Sequence, residues 1–294
     1  MSEDVPQTEA RHDASRDLDL RSSVDLVRVI AGDQRVAVAV VEGAAEAIAR
    51  IIDRVVERLE RGGRLHYIGA GTSGRLAVQD ASEIPPTFGA PPELVQAHIA
   101  GGAAAMTRAV EGAEDDAGAA LRLVDATIAA SDAAIGISAS GGATYVVRAI
   151  EAARAKGAYA AAIVNAAGTP LEQVAEDVVL LETGPEVLTG STRLKAGTAQ
   201  KIALNAISTA TMVRLGKVYD NLMVDVVATN AKLRNRARRL VETLTGCDAR
   251  EADQILERAG GRVKVAAVMA RRGVGATEAE ALLSEERGFL RPLL

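Results

Sequence analysis

Five short apolar runs, each followed by a segment of helical periodicity, constrain this chain more than any other feature. The runs are 65–68 (Leu-His-Tyr-Ile), 94–99, 133–137, 158–164 and 178–181, and between them helices are predicted near 74–82, 103–112, 117–130 and 143–156. Strand, helix, strand at this rhythm makes right-handed crossovers and a mainly parallel sheet. The expected fold class is therefore α/β, a mainly parallel five-stranded sheet flanked by helices in three layers. Ligands of such sheets bind outside the carboxyl ends of the strands. Three segments rich in glycine or hydroxyls, 69–74, 138–144 and 189–192, fall at or shortly after strand ends.

The remaining chain reads as helix around that sheet. From 24 to 61 the pattern is helical, with Ile51, Ile52, Val55, Val56 and Leu59 forming one stripe before Gly62-Gly63 stops it. Helices are also predicted over 194–215 and through most of 218–244. Three short ones follow, separated by Gly260-Gly261 and by the glycines at 273–275. We therefore expect a polar arm over 1–20, a sheet domain with its N-terminal helices over 21–245, and a small helical segment over 246–294.

Composition narrows the function. Aromatic residues are 2% of the chain, with no Trp, so the core is built from Ala, Val, Ile and Leu and no platform for stacking nucleic-acid bases exists. Net charge is −5. Arg234, Arg236, Arg238 and Arg239 cluster on an amphipathic segment and read as a solvated helix face. One cysteine, Cys247, excludes an intrachain disulfide framework and a cysteine zinc site. Three scattered histidines make no metal site, and His66, inside a strand run, reads as a packed core histidine. No apolar run approaches 18 residues, and the acidic N-terminus does not read as a signal peptide. The expectation is a soluble cytoplasmic protein without nucleic-acid or membrane partners.

The turn after the first strand, Gly69-Ala70-Gly71-Thr72-Ser73-Gly74, fits the spacing of a dinucleotide fingerprint. That reading needs a carboxylate at the end of the second strand to grip a ribose, and the strand ends instead in His98-Ile99. Hydroxyls in a glycine turn at a helix N-terminus suit a terminal phosphate, although Thr72 or Ser73 suits the cap of the helix equally well. The second turn repeats the chemistry with Ser138, Ser140, Gly141 and Thr144. Two such turns in one sheet can hold a phosphate and the sugar hydroxyls together, with Gly71, Thr72, Ser73, Ser138, Ser140 and Gly141 as the candidate ligands.

The strand-turn-helix pair resembles the sugar isomerase (SIS) fold, as a single domain. More narrowly, long segments resemble the N-acetylmuramic acid 6-phosphate etherase family. They are Thr8-Glu9-Ala10-Arg11, the first turn through Arg75-Leu76, Asp80-Ala81-Ser82-Glu83-Ile84-Pro85-Pro86-Thr87-Phe88-Gly89, residues 109–116, residues 183–195, and Asn221-Leu222-Met223-Val224-Asp225. The resemblance implies replacement of a lactyl ether at C3 of a 2-acetamido sugar 6-phosphate by hydroxyl, giving N-acetylglucosamine 6-phosphate and D-lactate. It also implies a homodimer, for which the long helices at 194–244 are candidate interface.

An alkyl ether resists direct displacement. If the sugar opens to its aldehyde, the C2 proton becomes acidic, lactate leaves by elimination, and water adds to the unsaturated aldehyde. No metal or redox cofactor is required; the chemistry needs an acid and a base. The resemblance implies Glu83 as the acid that protonates departing lactate and Glu114 as the base at C2. Pro85-Pro86 is expected to end the helix carrying Glu83, and an apolar, proline-bounded setting favours the protonated carboxyl that a general acid needs. Without the resemblance, both glutamates read as helix-end carboxylates. Glu186, Ser191 and Lys195 are further candidate ligands, Glu186 for sugar hydroxyls and Lys195 for phosphate or as a surface cap. Two rival readings use the same fold: a non-catalytic sugar-phosphate sensor of the glucokinase regulatory protein type, and an aldose–ketose isomerase.

Overall fold

The computed structural model describes residues 7–226 and 231–294. The chain divides into two compact units, one formed by 1–81 with 93–208 and the other by 82–92 with 209–294.

The first unit begins with short 3-10 turns that bury Thr8 and Ser15. The helical stretch before the sheet is three helices rather than one: α1 (Ser23–Asp33), α2 (Arg35–Gly43) and α3 (Ala45–Glu60). Then come β1 (Leu65–Gly69), α4 (Gly71–Phe88), β2 (Val95–Ile99), α5 (Ala117–Thr127), β3 (Ala133–Ser138), α6 (Thr144–Ala155), β4 (Tyr159–Val164), a short α7 (Pro170–Val174), β5 (Asp177–Leu180) and α8 (Lys195–Arg214). The five strands lie within a residue or two of the five apolar runs.

All pairings are parallel and the order is β2-β1-β3-β4-β5. Along β4, Ala160, Ala162 and Val164 join Tyr145, Val146 and Ile150 of α6 and Ala120 and Val124 of α5 in one core. Tyr159 points to the other face, where Arg54 of α3 stands 5.4 Å over its ring. Helices thus cover both faces, giving the three layers expected. The fully buried core is mostly Ala, Val, Ile and Leu, with Tyr67 of β1 and Tyr159 of β4 as its largest side chains.

Two local expectations fail for identifiable reasons. Residues 103–112 form only a 3-10 turn, Gly102–Met106, followed by irregular chain. Arg75 donates from Nε to Met106 O at 3.2 Å and from its terminal nitrogen to Arg108 O at 3.3 Å, taking carbonyls that a continuing helix would use. Conversely, α4 runs past Pro85-Pro86 to Phe88. Each proline removes a helical N–H, but Ile84 and Phe88, four residues apart, are both buried. Gly89 N–H closes the last turn on Pro85 O at 2.9 Å. Apolar burial offsets the missing bonds.

In the second unit, α9 (Ala231–Thr245), α10 (Ala249–Arg258), α11 (Val263–Arg272) and α12 (Ala276–Glu285) share one core, which includes Leu240, Val241, Leu244, Ile255, Val263 and Leu283. That core runs across residue 245. Asp248 caps α10 through Glu251 N–H, and Gly273 at φ +68° ends α11, as the glycine punctuation predicts. Residues 217–226 are irregular rather than helical, with a bridge from Tyr219 to Leu222; 227–230 lie outside the described residues. Lys264 Nζ ties this unit together by donating to Asp225 at 2.6 Å and to the carbonyls of Gly216 and Gly288 at 2.8 and 2.9 Å.

Candidate active site

In the strand order observed, β1 and β3 are neighbours from which the chain winds in opposite directions, and Gly69 is in register with Ile137. The two hydroxyl-bearing turns therefore leave the sheet side by side at its switch point, where ligands of doubly wound sheets bind.

The first turn is held by close backbone contact. A Cβ on Gly69 would sit 2.6 Å from Gly74 N, so the helix can start directly against the strand only with glycine there. Ser73 is buried and its hydroxyl donates to Gln200 Oε1 at 2.8 Å. Gln200 Nε2 in turn donates to Asn165 at 2.8 Å, and Asn165 donates to Leu181 O. This chain of amides ties the carboxyl ends of β1, β4 and β5 to α8. Thr72 is half-buried, and its hydroxyl has no hydrogen bond among the described residues. In the second turn, Ser138 Oγ accepts from Gly141 N–H at 3.1 Å and Ser140 Oγ from Gly142 N–H at 3.3 Å. Gly141, at φ +64°, would drive a Cβ to within 2.3 Å of Thr169 Oγ1. No side chain caps α6, so the capping role that competes with ligand binding is not filled there and its first N–H groups remain available.

The third segment is different. Glu186 is fully buried and its two oxygens accept from the N–H groups of Lys195 at 3.1 Å and Ala196 at 2.9 Å. Burial pushes its carboxyl upward against these bonds and the nearby Lys195 charge. The N-terminus of α8 is thus already occupied by a protein anion. Lys195 is buried too and donates to Asp33 Oδ1 at 2.9 Å, an oxygen that His12 Nε2 also approaches at 3.3 Å. Glu186 and Lys195 are committed to the scaffold of the segment that carries Ser191, itself half-buried.

Glu83 and Glu114 are both exposed, and neither has a partner among the described residues. The apolar setting expected for Glu83 is not formed within this chain. Glu114 lies on the 3-10 turn Ala113–Asp115, and Asp116, not Glu114, caps α5 by accepting from Ala119 N–H at 2.8 Å. Beside this turn is a cavity of about 710 Å³, lined in part by His98, Glu111, Asp116 and Tyr145. Arg75, in the helix turn after Ser73, pins the segment leading to Glu114 through the two carbonyl bonds described above.

Sequence reasoning missed Arg75, Asn165, Gln200, Asp33 and Asp80. Asp80 accepts from Asn205 Nδ2 at 2.6 Å and Ser208 Oγ at 3.1 Å. Asn165 stands directly after β4 and Gln200 interrupts an alanine-rich helix face, so both carried a legible signal as polar residues where the core was expected. His66, expected as a packed core histidine, is fully buried between Asp132, 3.2 Å from Nε2, and His98, 3.0 Å from Nδ1. Burial pulls the His66 imidazole below its usual range despite Asp132. Burial, then the neighbouring His66, pulls His98 down to about 4. Both bind protons more weakly folded than unfolded, so their stabilising contribution is complete above about pH 6.5 and is lost as pH falls toward 4. A His98→Leu variant is expected to lose roughly 2–3 kcal/mol less than wild type between pH 7 and 4, at about 1.4 kcal/mol per tenfold change in proton affinity. Urea midpoints at the two pH values measure it.

Twin hydroxyl-glycine turns at the switch point of a parallel sheet define a protein of the SIS class. Residues 106–210 match the SIS domain and residues 47–154 the glucokinase regulatory protein N-terminal SIS domain. The fold is similar to that of an Escherichia coli CFT073 protein solved with a bound ligand, with TM-score 0.50 and 17% identity, covering 68% of this chain and 97% of that one. It is also similar to a Bacteroides fragilis protein described as a phosphosugar isomerase involved in capsule formation, with TM-score 0.52, 17% identity, and coverage of 68% and 95%. Over its whole length the chain is closer to another group. It is 51% identical over 292 residues to N-acetylmuramic acid 6-phosphate etherase of Deinococcus radiodurans, covering 99% of this chain and 96% of the relative. Identity to the etherases of Geobacillus thermodenitrificans and Yersinia pestis is 49% and 45%, each over 288 residues and 98% of both chains. The chain belongs to the N-acetylmuramic acid 6-phosphate etherase family.

Proposed function

We propose that this protein cleaves the D-lactyl ether of N-acetylmuramic acid 6-phosphate, a carbon–oxygen lyase reaction followed by addition of water, to give N-acetylglucosamine 6-phosphate and D-lactate. The observation that carries the reading is the pairing of the two turns at the β1/β3 switch point in a chain related to etherases from end to end. Thr72, Ser138 and Ser140, with the N–H groups opening α4 and α6, hold the phosphate; Ser73 supports them from beneath through Gln200. Glu114 removes the C2 proton of the open-chain sugar and Glu83 protonates the departing lactate oxygen. Purified protein is expected to release D-lactate from N-acetylmuramic acid 6-phosphate without added metal or nucleotide. Tight binding of sugar 6-phosphates with no release would favour the sensor reading.

We further place the enzyme in the cytoplasm as a homodimer. Among the described residues no helix is long and apolar enough to cross a membrane. The dimer face we assign is α1 rather than the helices at 194–244, because α8 is largely covered by its own chain. On α1, Val24, Val27 and Ile30, at i, i+3 and i+6, are 57, 66 and 39% exposed, and Leu20 in the turn just before the helix is 80% exposed. An apolar stripe with no core of its own suits a second copy, and Asp25 and Arg28 beside it offer both charges to a self-complementary rim. The Val24→Glu/Val27→Glu variant is expected to sediment as a monomer where wild type sediments as a dimer.

A further inference from the structure

We propose that the cavity beside β2 receives the anomeric (C1) end of the ring-closed sugar and that His98 is the acid–base residue that opens the ring, with His66 and Asp132 as its positioning residues. This rests on the etherase reading above.

Hydrogen-bond chemistry fixes the chain of protons. Asp132 accepts from Arg64 N–H at 2.9 Å, the Arg64 guanidinium at 3.0 Å and Ala129 N–H at 2.8 Å. Burial pushes its carboxyl up, but these donors outweigh that and hold it below its usual range. As a carboxylate it only accepts, so the proton on His66 lies on Nε2. His66 is fully buried and neutral, which leaves Nδ1 bare. The 3.0 Å contact between His66 Nδ1 and His98 Nε2 then needs its hydrogen on His98. One tautomer of His98 satisfies this chain, with the lone pair on Nδ1. That nitrogen has no protein partner among the described residues, and His98 lines the cavity.

The cavity selects which end of the substrate enters. Its charged lining is Glu111 and Asp116, with no Lys or Arg, so it disfavours a phosphate. Its volume of about 710 Å³ lies within the range of small-molecule sites. It adjoins the first turn: Ala100 N–H donates to Gly69 O at 2.9 Å, and Ile99 of its wall is the side chain that a Cβ on Gly74 would strike. Phosphate on the turn and sugar ring in the cavity are neighbouring placements. In ring opening a proton leaves the anomeric hydroxyl, the C1–O5 bond breaks, and O5 takes a proton. Both oxygens are bonded to C1, so one imidazole can accept the proton at Nδ1 and return it. While His98 holds it, Asp132 stabilises the charge through His66.

The test is the rate at which N-acetylglucosamine 6-phosphate interconverts its anomers, followed by exchange NMR. Wild type is expected to accelerate interconversion. His98→Gln, which keeps a donor to His66 but no titratable nitrogen, is expected to lose at least tenfold of that acceleration with KM little changed. Exogenous imidazole is expected to restore it in His98→Ala, a rescue that a merely structural histidine would not show. His66→Leu is expected to lower the rate with KM retained. Wild-type interconversion by folded His98→Gln, or lactate release by wild type with no acceleration of interconversion, overturns the proposal. Absence of lactate release by wild type overturns the etherase reading instead.

Discussion

Glu83→Ala is expected to release D-lactate about 10²–10⁴-fold more slowly than wild type while still exchanging the C2 proton of N-acetylmuramic acid 6-phosphate with D₂O. The split follows from the order of events. Removing the C2 proton needs only the open aldehyde and a base, whereas expelling an alkoxide-like lactate needs a proton on the departing oxygen. Glu114→Gln is expected to lose both reactions, because without C2 deprotonation there is no elimination. Deuterium in recovered substrate, read by mass spectrometry beside a lactate assay, separates the two. Both residues are exposed and unpartnered in the described chain, so neither substitution removes a fold contact. Near wild-type lactate release by Glu83→Ala would take Glu83 out of the mechanism.

Lys195→Ala is expected to cost roughly 3–5 kcal/mol of stability, the loss typical when one member of a buried ion pair is removed. The side chains of Lys195 and Asp33 are 3 and 8% exposed, and Asp33 Oδ2 already has no partner. Removing the ammonium leaves a buried carboxylate with His12 alone beside it. Lys195→Met/Asp33→Leu is expected to recover most of the loss, since it removes both charges together. Urea unfolding gives the answer. Unchanged stability with a raised KM would instead make Lys195 the phosphate ligand that the sequence allowed.

The contrast between these two sites shows where sequence reading reached its limit. Glu83 and Glu114 stand out as candidates in the sequence because each sits in a long local motif. Lys195 was equally conspicuous, yet its partner lies 162 residues away, and a lysine near a hydroxyl-rich turn reads the same whether it faces phosphate or a buried aspartate. His66 reads as a core histidine, and its burial bears that out. What it touches, Asp132 and His98, could not be known before the strands were ordered. The 103–112 helix failed similarly, since its carbonyls are claimed by Arg75 from another element.

By itself, then, the sequence determined the alternation of strand and helix, the positions of the five strands, the glycine turns and the three C-terminal helices. These depend on periodicity, on residues able to adopt positive φ and on caps, all of which act within a few residues. Tertiary structure alone decided that β1 lies beside β3, so that two separate turns become one site. It also decided that α4 continues through Pro85-Pro86, that α8 is capped by Glu186, and that three ionisable groups from β1, β2 and the approach to β3 join in one chain. Those outcomes turn on which distant groups share a low-dielectric interior, where each buried donor or charge must find a partner.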